Sequence, residues 1–137
     1  MNVLYDKLLS FGKLAALPAT GANADFPDDL NLGKAAGSTD SYPGKAFTNA
    51  DRLTVDVCCD TPAGGTSITV VIKGSADGAA FATEVGKNTF TLDDLKAGPC
   101  KTAISPNKFQ YLRVNVAAAG TFTGKGAEAF LNTYAGK

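Results

Sequence analysis

Side chains able to do chemistry are few in this chain, and the most versatile one is missing: its 137 residues contain no histidine. That removes Ser–His and Cys–His nucleophile pairs, histidine-bearing zinc sites and the commonest general base together. Three cysteines, Cys58, Cys59 and Cys100, form neither a Cys-x-x-Cys ligand pair nor an even-numbered disulfide framework. Adjacent cysteines in a strand point to opposite faces, so Cys58 and Cys59 read as small buried hydrophobes or inert thiols. The pairs Asp28-Asp29 and Asp93-Asp94 could in principle serve glycoside hydrolysis, but both sit in turn-like contexts where solvation is the simpler reading. Gly124-Lys125-Gly126 lacks the strand-to-helix setting that a phosphate loop needs. For calcium, the candidates are the 25–29 stretch and Asp77, without the dense alternation of carboxylates that a calcium loop uses. The expectation is no catalytic residue, no cofactor and no metal, and so not an enzyme.

Charge and length narrow the remaining classes. Thirteen basic residues balance thirteen acidic ones, so the positive field that attracts nucleic acid or an anionic membrane surface is absent. No apolar run approaches the roughly 20 residues of a membrane span. The N-terminus has small residues at 15–22, but it lacks a charged leader, and Asp6, Lys7 and Lys13 interrupt its apolar run. The chain is therefore read as unprocessed and made in the cytoplasm. Low net charge also reduces repulsion between densely packed copies.

The elements that would position a site are strands. Leu53, Val55 and Val57 alternate with polar neighbours, as do Ile68, Val70 and Ile72, and Leu112, Val114 and Val116, the signature of half-buried strands. Ser75-Ala76-Asp77-Gly78 is a hairpin turn. A return strand over 81–85, a short strand over 89–92, a turn at 96–99, a turn at 117–120 and a last strand over 127–134 follow. Seven or eight short strands with glycine-rich turns and no long helix predict one all-β domain, an antiparallel β-sandwich. Residues 1–25 read as an irregular N-terminal arm, either extended or with a short helix over 4–10, and 26–137 as the sandwich domain. Within it, 26–51 is a long loop rich in Asp, Gly, Ser, Asn and Pro, of the kind that tends to be functional.

Several of these segments carry a family likeness. The run 67–81 (SITVVIKGSADGAAF), the segment 95–99 (LKAGP) and the run 109–131 (FQYLRVNVAAAGTFTGKGAEAFL) resemble the capsid cement, or decoration, proteins of tailed bacteriophages, in particular relatives of a Bordetella phage cement protein. A weaker echo lies in 6–12 and 29–33, while 34–52 and Cys58-Cys59 depart from that pattern. The resemblance implies a jelly-roll-like sandwich on the outside of the virion capsid. There it would bind the major capsid protein as a homodimer or homo-oligomer and clamp neighbouring subunits. Alternatives kept beside it are a carbohydrate-binding jelly-roll module on the virion surface and a tail or baseplate accessory protein. The candidate protein-interface residues are Leu4, Tyr5, Phe26 and Tyr42, apolar anchors in the arm and the loop; for Leu4 and Phe26, covering the sandwich's own open ends is an equal alternative.

Overall fold

The computed structural model describes residues 10–31, 52–104, 111–124 and 126–134. In chain order these form β1 (Ser10–Leu14), β2 (Asn23–Asp25), β3 (Leu30–Asn31), β4 (Arg52–Cys59), β5 (Ser67–Ser75), β6 (Thr83–Thr91), α1 (Leu92–Ala97), β7 (Cys100–Ala103), β8 (Tyr111–Ala119) and β9 (Ala127–Tyr134). All strand pairs are antiparallel and fall into two sheets. Sheet A has the order β1-β9-β4-β7, and sheet B the order β2-β8-β5-β6. β3 also pairs with β8. Since β5 occupies the other side of β8 along its whole length, β2 and β3 are one edge strand interrupted at 26–29. Counted so, the chain makes two four-stranded sheets in jelly-roll order.

Side-chain alternation explains why the sheets stack. β5 and β8 each bury every second residue, placing Ile68, Val70, Ile72, Leu112, Val114 and Val116 between the sheets. β4 answers with Val55 and Val57, and β9 with Ala127, Ala129 and Leu131. The small residues of β9 leave room for Phe11, Phe26 and Phe90 in the same core. Each fully buried aliphatic side chain contributes about 1.5–3 kcal/mol of transfer free energy, offset largely by the entropy of ordering the chain.

The structure corrects several expectations. From Ser10 onward the supposed arm belongs to the sandwich: β1 pairs with β9 and β2 with β8, and Phe11 is fully buried. The chain had to be extended there because both central strands otherwise lack an edge partner. Phe26 is not an interface anchor; it is 2% exposed in the core, and its N–H donates to the Val114 carbonyl at 2.9 Å. Leu4, Tyr5 and Tyr42 lie outside the described residues, as do 4–9 of the optional helix and 32–51 of the loop. Residues 83–91 form one strand rather than two, with a bulge opposite Ile72 and Lys73. Asp93-Asp94 is no turn but the first turn of α1, which starts at a capping box: the Asp94 N–H donates to Thr91 Oγ1, and the Thr91 N–H donates to Asp94 Oδ2. The expected turn at 96–99 is the end of that helix, and β8 runs on to Ala119.

Candidate interaction surface

Three connections and the helix α1 close one end of the sandwich: 15–22, 60–66, 120–124 with Gly126, and α1 with the two residues after it. Backbone hydrogen bonds stitch them together, from Thr66 N–H to the Ala119 carbonyl, from Thr123 N–H to the Ala63 carbonyl and from Asp60 N–H to the Gly126 carbonyl, at 2.9–3.0 Å. Gly126 is required by this packing, because a Cβ there would collide with the Leu14 carbonyl. The Gly124-Lys125-Gly126 motif thus has a structural reason for its glycine that involves no phosphate.

The opposite end holds the starts of β1, β4 and β8 and the ends of β3, β7 and β9. Ser10, Asn31, Arg52, Ile104, Tyr111 and Tyr134 all sit there, as the pairings of Asn31 with Tyr111 and Arg52 with Tyr134 require. Segments 1–9, 32–51, 105–110 and 135–137 therefore all join the sandwich at this one end. Leu4, Tyr5 and Tyr42 belong to them.

The described part of this end carries a fixed cluster on the outer face of sheet B. In the hairpin after β5, Ser75 Oγ donates to Asp77 Oδ1 at 2.8 Å, and the Ala79 and Ala80 N–H groups donate to the same carboxylate oxygen. These bonds hold the Asp77 carboxyl near a pKa of about 2, below the usual carboxylate range. Gly78 takes φ +79° and lies against the Tyr111 ring, where a Cβ would come within 3.2 Å. Phe81 turns back over β8, with its ring centroid 4.0 Å from the Arg113 guanidinium carbon. Arg113 donates two hydrogen bonds to Asp29, from Nε to Oδ1 and from a terminal nitrogen to Oδ2, each 2.8 Å. Those bonds raise the guanidinium pKa further. Beside them Asn115 Nδ2 donates to Asn23 and Asp25 at 3.1 and 2.8 Å. The network ties the broken edge strand to β8, with Asp29 as the partner of Arg113.

Elsewhere the titratable groups serve packing. On the outward face of sheet A, Asp56 is buried, accepting from Lys101 Nζ at 2.7 Å and from Thr54 Oγ1 at 2.9 Å. A cleft of about 720 Å³ between the ends of β1, β4 and β9 is lined by Lys13, Leu14, Cys58, Cys59, Asp60 and Glu128 among others. Its thiols are poor nucleophiles. Burial, with smaller contributions from Cys100 and Cys58, pushes Cys59 up to about 12. Burial with Asp56 and Glu128 also raises Cys58. All three cysteines are free. Among the described residues no three His, Cys, Asp or Glu side chains gather to hold a metal ion, and no helix is long and apolar enough to cross a membrane.

The β6 edge and the β1/β2 side of the sandwich are guarded. β6 is a long exposed edge, but its Thr89 N–H is taken by Asn88 Oδ1 and its Thr91 N–H by Asp94 Oδ2. A bulge and Lys87 interrupt the rest. On the other side, the Asp28 N–H donates to the Phe11 carbonyl and links the edges of the two sheets. Strand addition at these edges is thus disfavoured.

Sequence reasoning missed Phe81, Arg113 and Tyr111. A signal for two of them existed, an arginine and a tyrosine on the polar side of the most regular strand. Phe81 was expected to open the return strand over 81–85, but that strand begins at Thr83, which leaves Phe81 in the hairpin turn. No family model and no curated protein matches the chain.

Proposed function

We propose that the chain is a structural virion protein, a capsid cement protein that binds the outside of a tailed-phage head and clamps neighbouring major capsid subunits. In this reading it is made in the host bacterial cytoplasm, performs no catalysis, uses no cofactor and acts as a homodimer or homo-oligomer on the shell. The observation that supports it most is the one-ended organisation. A sandwich with stitched loops at one end and a guarded β6 edge presents, at the other, every join to the segments that carry Leu4, Tyr5 and Tyr42, with an arginine–aromatic cluster beside those joins. Such a module can be a rigid spacer that engages two neighbours at once. Its hold on a shell then rises through multivalency, with no chemistry needed. The resemblance of 67–81, 95–99 and 109–131 to cement proteins points the same way.

Quantitative mass analysis of purified virions tests the proposal. Hundreds of copies per particle, and particles lacking the protein that burst at lower temperature or milder osmotic shock, are the expected results. A dozen or fewer copies would place the chain in a tail or baseplate, and its absence from particles would refute the reading.

A further inference from the structure

We propose that the outer face of sheet B, where hairpin 75–83 folds back over β8, docks a protein surface presenting lysine or arginine beside an apolar side chain. Phe81 and Tyr111 are the described aromatic rings that are neither buried nor packed on the core cluster. They flank one arginine, Arg113, stacked under Phe81 and clamped by Asp29. Aromatic rings and arginine are the side chains most enriched at binding hot spots, and rings already fixed in place lose little entropy on docking. Here the hairpin bonds through Asp77 and the seating of Gly78 against Tyr111 supply that rigidity.

Charge selects the partner's sign. On this face around the rings stand Asp25, Asp29, Asp77 and Glu84, against Lys73, Lys87 and Arg113; Lys73 faces Arg113 on one side and Glu84 on the other in the strand register, and Lys87 lies in the row of Val71, Asn115 and Asp25. Four carboxylates against three cations leave a net charge of −1, on a chain whose total is zero. Arg113 is already engaged by Asp29, so the uncompensated charge is negative and a basic partner is complementary. The proposal rests on the shell-binding reading only for which protein supplies that basic surface.

Two arms test it. In the first, the 15N-labelled full chain is titrated with a blocked ten-residue peptide of alternating arginine and leucine, its glutamate–leucine counterpart, and maltohexaose. Expected are amide shifts confined to 78–84 and 111–115 with the arginine peptide alone, weakening as salt rises from about 50 to 300 mM. Phe81→Ala and Glu84→Lys should each weaken binding about tenfold or more, with unchanged thermal midpoints. Equal shifts with the glutamate peptide, shifts with the sugar alone, shifts at the stitched loops, or none would overturn the proposal. In the second arm the wild type and both variants are added to phage shells lacking the chain. Wild-type binding with equal binding by both variants would overturn the docking face and leave the shell reading intact. Peptide mapping as expected without any wild-type binding to shells would remove the shell reading and leave the face.

Discussion

Thr102 offers the sharpest test of the packing argument. It lies on β7 opposite Val55, is 1% exposed on the core side of sheet A, and its hydroxyl finds no hydrogen-bond partner among the described residues. A buried hydroxyl without a partner costs about 1–3 kcal/mol in desolvation. Thr102→Val exchanges that hydroxyl for a methyl of nearly the same shape, and burying the methyl contributes about 0.8 kcal/mol more. Overpacking and imperfect fit take part of this back, so the expected net gain is about 1–2 kcal/mol. For a domain of this size that corresponds to a midpoint rise of roughly 3–8 °C. Thr102→Ser keeps the hydroxyl, loses the methyl and should cost about 1 kcal/mol. Urea unfolding followed by far-UV circular dichroism measures both, since the chain has no tryptophan to report the transition. A valine variant less stable than wild type would refute the reasoning, because it would mean that the hydroxyl is satisfied and contributes to the fold.

Three further outcomes follow from the same structure. Gly126→Ala forces a Cβ into the Leu14 carbonyl, so it should lose about 3 kcal/mol or more and lower the thermal midpoint well beyond Gly21→Ala, where nothing stands within 4 Å and only the positive φ opposes the side chain. Asp77 has its folded pKa lowered to about 2 by the Ala79 and Ala80 N–H groups and Ser75. Its contribution to the hairpin is thus complete above the unfolded value near 3.9 and is lost as pH falls through about 2; a carboxyl NMR titration with a midpoint near 4 would contradict the hairpin geometry. Cys59, pushed up to about 12, should react with iodoacetamide at pH 8 at least about a hundredfold more slowly in the native chain than in urea, as read by mass spectrometry; comparable rates would show that the thiol is not buried as described.

Alternation was the legible part of the fold. β4, β5, β8 and β9 could be placed to within a few residues because a half-buried strand must repeat every second residue. β1, β2, β3 and β7 read SFGKL, NAD, LN and CKTA, too short and too mixed to show a period. They are extended because a neighbouring strand supplies hydrogen-bond partners, which is information from elsewhere in the chain. α1 did have a local signal, the Thr91-x-x-Asp94 capping box, hidden by an adjacent aspartate pair that also suits a turn.

The absence of histidine is a matter of composition, and the sequence alone determines it, as it does the all-β class and the core aliphatics of β5 and β8. Tertiary structure alone decided where the candidate interface residues fall. Phe26, an anchor by its loop-like surroundings, is drawn into the core because β8 pairs with its backbone and turns its ring inward. Phe81, Arg113, Tyr111 and Asp29 come from three separate stretches and meet only because the jelly-roll order sets the hairpin and the broken edge strand around β8. Periodicity specifies which face of a strand is buried; it carries no information about which strands become neighbours, and the cluster exists only through that choice.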